Sequence, residues 1–326
     1  MNSVHRRDQL AYIEALVGTV DAAVDVSGFL FSDQRGRASS PLIPLVEAFE
    51  RRGKPFVFLP QAWGPFEQTD VRTLARRAVA AATLSFARDD VSHGYLRALG
   101  ASGQVEQAPD IAFLFQPSPN GDQLVADLGL DPDRPIASIA PNMRVYERTG
   151  GEGIDNVYGQ ALTRVGQSLL DRDVQILLVP HEILPPVEDR QDDRYLCTII
   201  SKALGTQDVV AVTEDRSAED LKAMIGASDL MLGSRFHALI AALSSGVPSV
   251  AVGWAHKYPE LLGEFGHEHL VVDHNSLTAA DLETAVLRVW DARGEMRDAI
   301  LETLPSVKQR SAHAFDRTRA VLLGAA

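Results

Sequence analysis

The chain has 326 residues, 45% hydrophobic and 23% charged, a globular composition that excludes wholesale disorder and, at about 150 residues per domain, predicts two domains. Forty-four acidic against 31 basic residues give a formal charge of −13, a surface that repels phosphate backbones and argues against a general nucleic-acid partner. A local anion site stays compatible with that charge, because a cleft can be basic inside an acidic shell.

Cys197 is the single cysteine, which excludes an internal disulfide framework and any cysteine-built zinc site and suits a reducing, cytoplasmic compartment. At the N-terminus, Asp8 follows Arg6 and Arg7, and Glu14 breaks the apolar stretch, so no signal-peptide core forms. Residues 238–255 carry no charge, but Gly246 and Pro248 interrupt them, which predicts helix, turn and buried strand and no membrane span.

In chain order, residues 1–20 read as a helix, followed by strands at 22–26, 55–59 and 83–87 and helices at 41–52, 70–82 and 91–99. Residues 116–134 are rich in Pro, Gly and Asn around one short helical piece, a linker composition that places the boundary between domains 1–125 and 126–326. Strands then fall at 136–139, 174–179, 209–212, 230–232 and 249–252, with helices at 157–171, 218–227 and 235–245. Residues 294–323 hold two helical patterns separated near Pro305, the second suited to pack back on the first domain. Strands apolar on consecutive residues, alternating with helices, predict an α/β protein with two doubly wound parallel sheets.

Chemistry concentrates where strands end. Ser234-Arg235-Phe236-His237 runs from a strand into a helix, with Ser234 as the expected N-cap and Arg235 and His237 in the first turn. Two cationic-capable groups there oppose the helix dipole unless an anion joins them. An anion pocket and an ordinary surface Arg with a core His fit that pattern equally. Arg144, His181, and His256 with Lys257 also follow strands, so four strand ends of the second half converge on one sheet edge. In the first half, Trp63 and Phe66 can stack on a sugar and Asp33 or Gln61 can hold its hydroxyls; a tight turn with a buried aromatic fits as well. Asp192-Asp193 looks like a carboxylate pair, but neighbours on a helix do not face each other. His181-Glu182 lacks the second His of a helical zinc motif, and no metal or cofactor site is readable.

Ser234-Arg235-Phe236-His237-Ala238, then Gly246-Val247-Pro248, then Trp254-Ala255-His256-Lys257-Tyr258 resemble the polysaccharide pyruvyl transferase family. Asp25 to Gly28 with Asp33, Leu59-Pro60-Gln61, Ala87-Arg88-Asp89, Pro109-Asp110 and Pro141-Asn142-Met143-Arg144 support the likeness across residues 20–290. The resemblance implies a fold similar to GT-B glycosyltransferases, with an active cleft between the halves. It implies transfer of a pyruvyl group from phosphoenolpyruvate to a saccharide or lipid-linked saccharide, giving a ketal in cell-surface or exopolysaccharide biosynthesis. The family's donor-binding Arg and His fall on Arg235 and His237, a further phosphate contact on Arg144, and its first-half carboxylate on Asp33. The resemblance also implies an opening strand on the acceptor side before Asp25, where residues 1–20 read instead as a helix.

Such a donor carries a carboxylate and a phosphate, so its pocket needs several cations, Arg above all. The expected binding set is Arg235, Arg144, Ser234, Lys257, His256, Gln61 and Trp63; His237, His181 and Asp33 are the candidates for acid and base. Two other readings stand beside this one: a glycosyltransferase using a nucleotide sugar, and a non-catalytic saccharide-binding relative. The sequence leaves a homo-oligomer open.

Overall fold

The computed structural model describes residues 3–100, 103–184 and 192–324, with side chains from Leu10 onward. It divides into two compact units, residues 1–114 with 306–326, and residues 115–305.

The first unit begins with α1 (Ser3–Thr19) and continues β1 (Ala23–Asp25), α2 (Ile43–Arg51), β2 (Phe56–Gln61), α3 (Thr69–Ala81), β3 (Leu84–Ala87), α4 (Asp90–Ala98) and β4 (Val105–Gln107). Its four strands are parallel and lie in chain order, β1-β2-β3-β4. The two-residue period of β2 explains the packing. Phe56 and Phe58 enter a core with Val17, Phe31, Phe49 and Trp63, while Val57 and Leu59 pack on the other side with Leu84, Phe86, Ala314 and Val321. Both faces are covered, as the continuous apolar runs require.

The second unit contains α5 (Gly121–Asp127), β5 (Ile136–Ala140), α6 (Met143–Tyr146), α7 (Val157–Leu170), β6 (Gln175–Leu178), α8 (Arg194–Leu204) and β7 (Val209–Ala211). It goes on through α9 (Ala218–Gly226), β8 (Leu230–Gly233), α10 (Phe236–Leu243), β9 (Ser249–Gly253), α11 (Lys257–Gly263), β10 (Val271–Asp273) and α12 (Ala279–Asp291) to α13 (Arg293–Leu322), whose residues from 306 on belong to the first unit. Its parallel sheet has the order β10-β9-β8-β5-β6-β7. The chain builds outward from β5 to β7, then crosses back and builds from β8 to β10. The winding therefore reverses between β5 and β8, where Ala140 pairs with Gly233.

Several expectations change. The units divide between Leu114 and Phe115, ahead of the linker-like 116–134 segment. That segment is held to the second unit, because Ser118 N–H donates to the Glu219 carbonyl at 3.1 Å and the Ser118 hydroxyl donates to Asp220 at 2.5 Å. Strands β4 and β10 are absent from the sequence reading; each is three residues long at a sheet edge, too short for a periodicity. Helices α8, α11 and α12 are likewise absent from it. Pro305 lies within the single continuous helix α13 and does not separate a pair of helices. Proline removes one N–H from the ladder, but buried Ile300, Leu304 and Val307 at helical spacing keep the helix going. Residues 238–255 form helix, turn and strand as expected, and among the described residues no helix is long and apolar enough to cross a membrane.

Gly246 makes that turn with φ +79°, and a Cβ there would sit 2.7 Å from the Leu301 side chain. Gly246→Ala is therefore expected to lower unfolding free energy by about 1–3 kcal/mol, read from urea denaturation midpoints.

Candidate functional site

In an open parallel sheet, the loops leaving neighbouring strands at the winding reversal diverge and leave a crevice at their carboxyl ends. Here those loops follow β5 and β8, flanked by the loop after β6. Asn142, just past β5, caps α6 by accepting from the Arg144 N–H at 2.9 Å and donates its amide to the Ser234 carbonyl at 2.6 Å. Tyr258 of α11 donates to the same carbonyl at 2.7 Å. The Ser234 hydroxyl is buried and bonds the Tyr158 hydroxyl at 2.7 Å, and burial raises that phenol's pKa. Ser234 is thus a junction between three loops and not the expected helix cap. Arg235 occupies the N-cap position of α10, without a side-chain capping bond, and His237 is the exposed second residue of the helix.

Arg235 is held by two carboxylates. Asp193, whose side chain is 0% exposed, accepts from Arg235 Nε at 2.8 Å and Nη2 at 2.6 Å. The same carboxylate accepts from the backbone N–H of Met143 at 3.0 Å, of His181 at 3.2 Å and of Glu182 at 2.8 Å. Five donors from three strand-end loops therefore meet on one buried group. Burial raises the Asp193 pKa, opposed by Arg235 and the backbone donors. Burial also works against the Arg235 charge, but Asp193 and Glu182 outweigh it and hold its pKa above the ordinary value. Glu182 binds Arg235 Nη1 through Oε2 and Arg144 Nη2 through Oε1, the latter at 3.2 Å. Arg144 and Arg235 thus share one carboxylate.

His181 sits beside this cluster with its Nδ1 buried and without a hydrogen-bond partner. Burial, then the nearby His237 and Arg235, lower its pKa to about 3. It is neutral throughout the neutral range, which corrects the expectation that it titrates there. Lys257 is buried, its ammonium 4.5 Å from the Trp254 ring centre and 5.5 Å from that of Phe236; His256 stands at the N-cap of α11.

In the first unit, Trp63 is fully buried; it stacks on Phe31 at 4.9 Å and donates its indole N–H to the Phe86 carbonyl at 3.0 Å. Its ring is closed to a sugar, which corrects that expectation. Gln61, 1% exposed, donates to Asp25 at 3.2 Å and accepts from the Ser27 hydroxyl. Asp33 accepts from the backbone N–H of Glu67 at 2.7 Å and of Gln68 at 3.1 Å, ahead of α3. Both its oxygens hold a turn. Among the described residues no group of three or more His, Cys, Asp or Glu side chains is gathered to hold a metal ion.

Sequence reasoning misses Glu182, Asp193, Tyr158 and Asn142. Asp192 and Asp193 face different partners, Asp192 pairing with Arg194 at 2.6 Å, but both precede the first residue of α8, so the helical spacing expected of them does not apply. The separate partners dispose of a carboxylate dyad and leave Asp193 as a single partner for Arg235.

The family described as polysaccharide pyruvyl transferase matches residues 9–256. Amylovoran biosynthesis protein AmsJ of Erwinia amylovora is 20% identical over 308 residues, covering 92% of this chain and 70% of that protein. Among solved structures, a putative UDP-N-acetylglucosamine 2-epimerase from Listeria monocytogenes aligns at TM-score 0.65 and 13% identity, over 96% of this chain and 78% of that one. The trehalose-phosphate synthase of Burkholderia vietnamiensis aligns at 0.62 and 14%, over 99% and 80%. These likenesses show the fold, two parallel-sheet α/β domains as the strand and helix patterns predict, of the GT-B type that the family resemblance implies.

Arg235→Ala strands the buried Asp193 charge and is expected to cost about 3–5 kcal/mol of stability; adding Asp193→Asn recovers some of it in a denaturation double-mutant cycle. His181 has a folded pKa below its unfolded value, so its contribution to stability is whole above pH 6.5 and is lost as pH falls toward about 3. His181→Gln is expected to flatten the fall in melting temperature across that window.

Proposed function

Because the chain belongs to the polysaccharide pyruvyl transferase family, we propose that it transfers a pyruvyl group from phosphoenolpyruvate to a saccharide acceptor, forming a ketal in exopolysaccharide biosynthesis. One observation carries the reading: two guanidiniums from separate strand-end loops, Arg144 and Arg235, converge on a single carboxylate within the family-matched region. A planar anion suits that gap. Phosphoenolpyruvate offers a carboxylate and a phosphate, and the two oxygens of its carboxylate match one N–H from each guanidinium, Arg144 Nη2 and Arg235 Nη1.

In the proposed reaction, the donor's methylene carbon takes a proton and becomes a methyl group. One sugar hydroxyl adds at C2, a second displaces phosphate, and the two hydroxyl protons balance those gained by the methyl group and the departing phosphate. His237, exposed in the first turn of α10 next to Arg235, is the proton-transfer group we favour. Neutral His181 is left to shape the pocket. Lys257, lying against Phe236 and Trp254, adds positive potential behind the first turn of α10. We place the reaction in the cytoplasm, where the lone buried Cys197 stays reduced.

Calorimetric titration with phosphoenolpyruvate, UDP-sugars and inorganic phosphate tests the donor. Arg144→Ala leaves Asp193 paired, so it isolates binding; a loss of ~1.5–3 kcal/mol, about 10- to 150-fold in affinity, is expected. His237→Gln is expected to keep binding while transfer to a saccharide acceptor falls. Preference for a UDP-sugar over phosphoenolpyruvate would overturn the reading.

A further inference from the structure

The two carboxylates on Arg235 are built differently. Asp193 is sealed and takes three backbone N–H groups besides the guanidinium, so it cannot leave without opening three loops. Glu182 is 26% exposed, and among the described residues its carboxylate oxygens meet only the two guanidiniums. Its own backbone is fixed, by its N–H on Asp193 and by its carbonyl accepting the Asp193 N–H at 3.0 Å. The side chain alone is therefore free to swing. Arg144 is 32% exposed and can move with it.

Charge decides what this means. With Glu182 in place, two guanidiniums face two carboxylates and the cluster is neutral, a poor trap for a ligand with several negative charges. We propose that Glu182 is an internal counter-ion occupying the donor's carboxylate subsite, and that the donor displaces it when its own carboxylate takes Arg144 Nη2 and Arg235 Nη1. This rests on the donor reading above only in the identity of the ligand. The exchange replaces one carboxylate with another, so neither guanidinium is left buried and unpaired. It also makes Glu182 a specificity-determining residue, since a planar ligand carboxylate matches the group it displaces better than a tetrahedral phosphate does.

Glu182→Gln keeps the shape and can still hydrogen-bond but removes the competing charge; Glu182→Ala removes the group, and thermal melts of both check folding. Each is titrated with phosphoenolpyruvate, 2-phosphoglycolate and ethyl phosphate, the last lacking a carboxylate. The expected result is binding about tenfold tighter than the parent for the two carboxylate ligands, with a smaller gain for ethyl phosphate. Unchanged or weaker binding of the carboxylate ligands by both variants overturns the proposal, as does an equal gain for all three. A gain with 2-phosphoglycolate but no preference for phosphoenolpyruvate overturns the donor identity and leaves Glu182 in its role. Parent binding of phosphoenolpyruvate without a gain in the variants overturns the Glu182 role alone, and no binding by any protein overturns both.

Discussion

A carboxylate with no access to water needs several donors to stay charged, and Asp193 has five. Each comes from a segment that leaves the sheet near its winding reversal: Met143 after β5, His181 and Glu182 after β6, Arg235 after β8. The loops therefore share one electrostatic anchor, and their relative positions follow from satisfying it. Isolated burial of such a charge costs several kcal/mol, so the donors must be in place together, and this ties loop geometry to the fold of the sheet. Ser234 adds a second, neutral anchor one residue before Arg235, with its carbonyl and hydroxyl taken by Asn142, Tyr258 and Tyr158. Arg235 is thereby fixed from both its backbone and its side chain.

The first unit uses the same device to tie strand ends together. Arg88 after β3 and Asp110 after β4 form an ion pair at 2.8 Å with side chains 4% and 6% exposed. Asp89 caps α4 by accepting from the Ser92 N–H at 2.6 Å, and the Ser92 hydroxyl accepts from the Trp63 N–H at 2.9 Å. The Arg88-Asp89 and Pro109-Asp110 segments that support the family resemblance thus hold strand ends together.

What is legible in the sequence follows from range. Apolar runs such as 136–139 and 230–232 report their own burial, so the buried strands and the polar loops after them, with Arg144 and Arg235, can be read locally. Glu182 and Asp193 meet Arg235 across 53 and 42 residues, and no local pattern encodes that distance. Ser234 shows tertiary structure overriding propensity: by type it is a good cap, but a partner 76 residues away takes its hydroxyl. Trp63 is ambiguous in sequence because an aromatic at a strand end suits a sugar platform and a core equally. Phe31 and Phe58 on either flank decide for the core.

The pairing of one locked and one exposed carboxylate on Arg235 resolves a conflict that any buried arginine meets. Left alone at 12% exposure, the guanidinium would be an uncompensated charge in a poorly solvated place. Compensated only by a sealed partner, it would keep its charge but offer a ligand little net attraction. Asp193 takes the Nε and Nη2 edge and leaves Nη1 as the available donor. A single Nη1 gives no planar recognition, so a second arginine must complete the pair. Arg144 does so from the neighbouring loop, and its own position depends on the Asn142 cap that also holds Ser234. The two-arginine gap is thus a consequence of how the fold stabilises Arg235, and the residue now filling it, Glu182, has the chemistry that an incoming carboxylate must match.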